Sequence, residues 1–584
     1  MTRRATLPRT KPRRPRATYP QVDVGAAALV DAAVLAVPAS ISVADALAKA
    51  RRRDVHVLVA ADALILRDDL ARAASLGIGG ARARMLARPI PLVDADASEV
   101  VVRRHLGAGA PLVAVRDGRR VIGAISAGTA AGDGGISLTD RLGRRLPAAA
   151  LNVLDTAARV AAERGARAYL AGGIVRDALA DRLGHGGPAT HRPAFGGTDP
   201  QSPTASPDLD VVVEGDGPGV ARALADALVA PLVEHARFLT ATVGPTSAGR
   251  IDVATARSER YEGRGTLPRV MPSSIEQDLR RRDFTVNAMA VELASGRLEL
   301  LDPHGGRSDL ATRTLRILHP ASFVEDPTRM FRAARYAVRL GLGPDAWTTR
   351  CQERALSLAP YPALSGARLL GELTRILAEP RPDLVLVRLG AGGVYRLLDP
   401  RYRFGRAARA RLSALPGALA QGGGVGPSGS KGFATELLLV ALLAGQPGEV
   451  IAAALRRLDV TGEPLARITR AIAERASLAR VLASPARISE RARAVRGRPT
   501  LHLAAVWLDA PAEVRRQLDA VRDALPVRAT LRGDEVIGLG VPAGPAVAAV
   551  LEALRDAQLD GEVTGRSEEE AFVRTWAEHT RKER

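Results

Sequence analysis

The segment Pro207-Asp208-Leu209-Asp210-Val211-Val212-Val213 constrains this chain more than any other. Alternate residues of a β-strand share a face, so the carboxylates of Asp208 and Asp210 project the same way. The apolar run Val211–Val213 carries the strand inward, where two adjacent carboxylates without cations would be costly. The pair is therefore expected to grip hard divalent cations, as two-metal phosphoryl or nucleotidyl transfer requires. Upstream, Ala171-Gly172-Gly173-Ile174-Val175-Arg176-Asp177 reads as a strand–turn–helix junction. Its Gly-Gly turn lets backbone amides approach a phosphate at a helix N-terminus, and Arg176 adds a charged fork. By itself such a turn is an ordinary strand–helix connection; coupled to the Asp-x-Asp strand it becomes informative.

A chain of 584 residues exceeds a single core, so three or four domains are expected. Residues 1–35 form an Arg/Pro-rich basic arm whose first 20 or so residues read as disordered, without the apolar stretch of a signal peptide. From 36 to 130 an extended apolar stretch, an amphipathic helix and two short strands recur twice. The first copy runs through Ile41–Leu47, Val55–Val59 and Ala63–Leu70. The second runs through Ile90–Asp94, Ala110–Val115 and Val121–Ile125, with Asp117-Gly118 as the turn. A duplication of roughly 50 residues is an organisational signal in its own right. Next, 127–150 is a Gly-rich linker, and a central α/β module follows over 150–310, interrupted by a Gly/Pro/Ser/Thr/His-rich insert at 184–206. Helical periodicity dominates afterwards, with breaks at 378–383, 421–432 and 494–500. The fold class is thus multidomain, α/β followed by all-α.

The charge balance is 83 basic against 63 acidic residues, formally +20, which points to a polyanionic partner. Arg and Ala enrichment can also follow from a GC-rich genome, but the excess of base over acid survives that objection better than the Arg count does. No apolar run approaches the roughly 20 residues needed to span a bilayer, so no membrane association is expected. One cysteine, Cys351, excludes an internal disulfide framework and fits a reducing cytoplasm.

Three further segments carry chemistry. Asp252, in Arg250-Ile251-Asp252-Val253-Ala254-Thr255-Ala256-Arg257, is placed on another strand of the same sheet as a third carboxylate; a capping or loop aspartate is the alternative. Arg281-Arg282-Asp283-Phe284-Thr285-Val286-Asn287 offers Arg282, Asp283 and Asn287 as groups that can read a ribose, with Phe284 anchoring the segment in the core. Asp302-Pro303-His304-Gly305-Gly306 reads as a turn. Then Glu325-Asp326-Pro327-Thr328-Arg329 opens a helix on which Asp326, Arg329, Arg332 and Arg335 recur every three residues and drift round one side. An Asp and an Arg one turn apart can match donors and acceptors on a base edge. A solvated, salt-bridged face is the bland alternative, less attractive for an Arg row with only one acid to pair.

This ordered set over 168–340 resembles the class II tRNA nucleotidyltransferases, which include CCA-adding and A-adding enzymes and have the bacterial poly(A) polymerases as close relatives. The resemblance implies a polymerase-β-like nucleotidyltransferase head, a helical neck with the base-reading motif over 311–380, and a helical body and tail over 381–584 that bind tRNA. It implies Mg²⁺ held by Asp208 and Asp210 with Asp252 as helper, and triphosphate contact by Gly172, Gly173 and Arg176. Ribose reading falls to Arg282 and Asp283, and protein-templated selection of CTP or ATP to Asp326, Arg329, Arg332 and Arg335. Ala367–Leu373 resembles the start of the family's body, and Gly533–Pro545 its Gly-rich tail motif. The duplication at 36–130 resembles a CBS pair, many of which bind an adenine nucleotide. The implied activity is template-independent addition or repair of the 3′-terminal CCA of tRNA. The alternatives are an A-adding-only enzyme, a poly(A) polymerase, and a non-catalytic, CBS-gated RNA-binding protein. Residues 258–278 follow the tRNA-enzyme pattern rather than the polymerase one.

Overall fold

The computed structural model describes residues 25–126, 137–180, 209–293, 298–421 and 427–582. Residues 1–24 of the basic arm, the 184–206 insert and Asp208 lie outside the described residues; the arm is shorter than expected, because 25–35 are ordered, with a helical turn at Ala26–Leu29, a buried Ala26 and a strand beginning at Val34. The described chain forms two compact units, one from 25–71, 80–126 and 303–305, the other from 72–79, 137–302 and 306–582.

In the first unit the duplication is visible as topology. Strands β1 (Val34–Val37), β2 (Val57–Ala60) and β3 (Ala63–Leu66) make one three-stranded sheet, β1 parallel to β2 and β2 antiparallel to β3. Strands β4 (Leu92–Asp94), β5 (Leu112–Asp117) and β6 (Arg120–Ser126) repeat that order and pairing. Each copy inserts a helix between its first two strands, Val43–Arg52 and Glu99–Gly107. A common core unites Val57, Leu64 and Leu66 with Leu112, Ala114 and Ala124. One expectation is corrected: Ile41–Leu47 is not extended. Ser42 accepts a hydrogen bond from the Asp45 amide at 3.1 Å and starts a helix there, so the extended element lies earlier, at β1.

In the second unit the helices Thr139–Arg145 and Ala148–Glu163, with Leu138, Leu142 and Leu146 buried, replace the later part of the expected 127–150 linker; strand β7 (Arg167–Ala171) follows, from which Gly172 turns into the helix Gly173–Ala180. Strand β8 (Leu209–Glu214) follows, then β9 (Leu232–His235), β10 (Thr240–Thr246), β11 (Gly249–Thr255), the hairpin β12 (Arg257–Arg260) and β13 (Arg269–Pro272), β14 (Ala290–Glu292) and β15 (Leu300–Leu301). Seven of these form one mixed sheet in the order β15-β14-β7-β8-β11-β10-β9. The Val-rich β8 sits at its middle, antiparallel to β7 and parallel to β11, with Val211, Val212 and Val213 buried. An apolar run of this kind is what a strand covered on both faces demands. Asp302 accepts hydrogen bonds from the Gly306 and Arg307 amides at 2.7 and 2.9 Å and so caps the helix Gly306–Ala311.

Beyond residue 310 the chain is almost wholly helical, beginning with Ser322–Glu325, Thr328–Arg339 and Ala346–Ser357. Helices end and restart at Ile376/Pro382 and Val495/Thr500, near the expected breaks. Two further apolar clusters, one around Leu478, Val506 and Val521 and one around Val536, Val550 and Val573, give the C-terminal helical region cores of its own. The tail motif contains the short helix Gly533–Gly538 and reaches Pro545 through Gly540 and Gly544, both at positive φ.

Candidate nucleotide-binding cleft

A cleft of about 570 Å³ collects most of the residues singled out in the sequence. Its lining includes Gly172, Gly173, Arg176, Asp210, Arg282, Asp283, Asn287, Asp326, Arg329 and Arg332, drawn from segments more than 150 residues apart.

One end is built by the Gly-Gly turn. Gly172 has φ +81°, a conformation that favours glycine, and a methyl group there would sit 3.1 Å from Asp210 Oδ2 and 3.4 Å from Arg282 Nη1. The absent side chain thus leaves room for the β8 carboxylate against the turn. Asp210 is exposed rather than buried: the valines after it go into the core and the aspartate remains at the open end of the strand. Asp252 lies directly beside it, because β11 pairs with β8 in the register Asp252↔Asp210. Its exposed carboxylate accepts a hydrogen bond from the Thr242 hydroxyl at 2.7 Å, and it is outside the cleft lining. Arg176 is buried, donating to Asp177 and, at 2.7 Å, to Asn287 Oδ1.

The middle is organised by two buried acids. Asp283 accepts from the Phe284 amide, from Asn287 Nδ2 at 3.0 Å and from Arg332 Nε at 2.7 Å. Burial alone would raise its pKa; the neighbouring Arg332 and the bonds from Asn287 and Arg332 outweigh this and hold the carboxyl below the usual carboxylate range. Asp278, absent from the sequence reading, grips Arg281 at 2.7 Å and Arg282 at 3.2 Å. Here too burial opposes the charge and the two arginines prevail, lowering the pKa. The spacings of three and four along one helical stretch were the signal that could have found it.

The far end carries the start of the helix Thr328–Arg339. Asp326 precedes it, bonded to the Thr328 hydroxyl at 2.7 Å and to Arg368 Nη2 at 2.9 Å. Arg329 is buried, donating to Ser322 Oγ and to the Arg281 carbonyl. The expectation of an arginine row with a single acid fails, because other elements supply the acids. Arg332 pairs with Asp283, and Arg335 turns away from the cleft to Glu379 at 2.7 Å. Tyr336, Arg339 and Arg368 line the cleft without having been singled out there from the sequence. Altogether the lining holds seven arginines and four carboxylates, a surplus of positive charge suited to a polyphosphate. Among the described residues no group of three or more His, Cys, Asp or Glu side chains is placed to hold a metal ion, and no helix is long and apolar enough to cross a membrane.

The poly A polymerase head domain model matches residues 168–316. The chain is 36% identical over 413 residues to a CC-adding tRNA nucleotidyltransferase of Deinococcus radiodurans, covering 70% of this chain and 88% of that protein. It is 37% identical over 260 residues to an A-adding tRNA nucleotidyltransferase of Geobacter sulfurreducens, covering 44% of this chain but only 27% of that longer protein. Among solved structures, the apo form II of a CCA-adding enzyme superposes with a TM-score of 0.62 at 25% identity, covering 75% of this chain and 98% of that one. A head matched by its own domain model, continued into a neck and body by a relative aligned over most of its length, places the chain in the class II tRNA nucleotidyltransferase family.

Proposed function

We propose that this protein is a template-independent tRNA nucleotidyltransferase that adds or repairs the 3′-terminal CCA of tRNA from CTP and ATP. One observation carries the reading: a single cleft combines a Gly-Gly turn, the Asp210 carboxylate, a buried Arg–Asp–Asn cluster and the Asp326/Arg329 helix start, with cationic charge in surplus.

In this reading the tRNA 3′-hydroxyl attacks the α-phosphate and pyrophosphate leaves. The Gly172-Gly173 turn and Arg176 hold the triphosphate, the turn because nothing projects from Gly172 and Arg176 because Asp177 and Asn287 fix its fork. Arg282, Asp283 and Asn287 position the ribose. Asp326 and Arg329 read the base edge in place of a nucleic-acid template. The donor chemistry fits a hard divalent cation, since Asp210 and Asp252 present exposed carboxylates side by side on adjoining strands. We take the ion to be Mg²⁺, held by Asp208 and Asp210 with Asp252 beside them. When bound it supplies charge neutralisation and activation of the attacking oxygen. The N-terminal duplicated unit is read as a CBS pair with an adenine nucleotide as its ligand class, and the protein as cytoplasmic.

Asp208→Ala should abolish nucleotide incorporation while leaving tRNA binding, followed by filter retention, within about threefold of wild type, because phosphate contacts elsewhere dominate affinity. Unchanged incorporation in that variant contradicts the two-metal assignment. The CC-adding and A-adding relatives each favour a narrower reading, in which only part of CCA is added.

A further inference from the structure

We infer that Tyr336 is a positioning residue for the incoming nucleotide, acting by fixing the plane of the Arg332 guanidinium. The inference rests on the nucleotide-adding reading of the cleft. Tyr336 lies on the helix Thr328–Arg339, one turn after Arg332, and both side chains line the cleft. Arg332 is held along one edge by Asp283, which faces Nε at 2.7 Å and Nη2 at 2.6 Å through the same oxygen, Oδ2. A single oxygen leaves the guanidinium free to pivot about it. The Tyr336 hydroxyl removes that freedom by accepting a second bond from Nη2 at 3.2 Å. Nη1 is then the corner of Arg332 without a protein partner among the described residues, on a side chain that is 42% exposed at the cleft.

The tyrosine is itself rigidly held. Its ring meets Phe284 edge-on, with centroids 5.9 Å apart, and Phe284 is fully buried. Arg176, Arg332 and Arg339 all lie within 6.0 Å of the ring centroid. Each of the three guanidinium groups is also tied to a carboxylate of its own, Asp177, Asp283 and Glu379, so the ring packs among cations already fixed in place. The hydroxyl therefore stands where a small rotation of Arg332 would change the donor pattern offered to the nucleotide.

Tyr336→Phe isolates the effect, since the ring, its packing on Phe284 and its attraction for the three cations all remain. Loss of a hydrogen bond from a charged donor should raise KM for CTP and ATP about tenfold. The variant should keep kcat within about twofold, the tRNA KM unchanged and the melting temperature of wild type. In an Arg332→Lys background the same substitution should change KM by less than about twofold, because the fork it holds is gone. An unaltered nucleotide KM in Tyr336→Phe, or a full tenfold effect in both backgrounds, overturns the inference. A wild-type protein that incorporates neither CTP nor ATP would instead remove the reading on which it rests.

Discussion

The cleft and the duplicated N-terminal unit are built on opposite principles. In the N-terminal unit, order comes mainly from repetition: two sheets with the same strand order and pairing share an apolar core, and the ion pairs there, such as Arg116–Asp94, keep at least one partner exposed, apart from Arg88 on the fully buried Asp69. Around the cleft, order comes from buried charge. Asp278 and Asp283 are buried acids that bind Arg281, Arg282 and Arg332, and Glu379 does the same for Arg335 and Arg339. Buried pairs contribute little net stability when replaced by apolar residues, but breaking one leaves an uncompensated charge. What such an arrangement secures is geometry: guanidinium groups fixed in place before a nucleotide arrives.

The largest effect is expected at the Gly-Gly turn. Gly172→Ala adds a methyl group 3.1 Å from Asp210 Oδ2 at a φ of +81°, so both the turn and the carboxylate must shift. Misplacement on that scale should lower kcat about tenfold to a hundredfold in a single-nucleotide incorporation assay. A variant with wild-type kcat would show that the turn does not set the position of Asp210.

Asp283→Asn probes the buried acids through pH. The folded-state pKa of Asp283 is depressed, so its contribution to stability is fully present above the unfolded pKa and disappears as pH falls through the folded value. Wild type should therefore lose stability as pH falls below about 5 and on past the ordinary carboxylate range, and the variant should lose less. Denaturant titration at several pH values measures this, and parallel curves for the two proteins would contradict the role given to Asp283.

The smallest effect belongs to the N-terminal unit. Ser42→Ala removes the bond to the Asp45 amide and should cost about 1 kcal/mol, seen as faster hydrogen exchange in the helix Val43–Arg52. Nucleotide KM should not move. Neither should kcat: a loss comparable to that of Gly172→Ala would erase the contrast between the two regions.

How much of this was legible in the sequence follows the same division. Apolar periodicity announced the duplication, β8, the Phe284 anchor and the helical C-terminal half, because burial imposes a period on neighbouring residues. It misplaced the first element of the repeat, where the Ser42 cap outweighed an apolar run. The site residues were legible where short motifs bring donors together, as at Gly172-Gly173 and Arg282-Asp283. The anchors were not: Arg332 meets Asp283 across 49 residues of chain and Arg335 meets Glu379 across 44, separations that leave no local pattern. For that reason the sequence points Arg335 toward the cleft and gives no sign of Tyr336 or Arg339. Asp208 and the 184–206 insert fall outside the described residues, so the geometry rests on Asp210 and its neighbour Asp252.

The central claim is tested most directly by incorporation of labelled CTP and ATP onto three tRNAs, ending before CCA, after its first C, and after CC. The account predicts CTP addition to the first two and ATP addition to the third, each dependent on Mg²⁺. CTP addition without ATP addition, or ATP addition to the third tRNA alone, would narrow the activity to part of CCA. No incorporation into any of the three would contradict it.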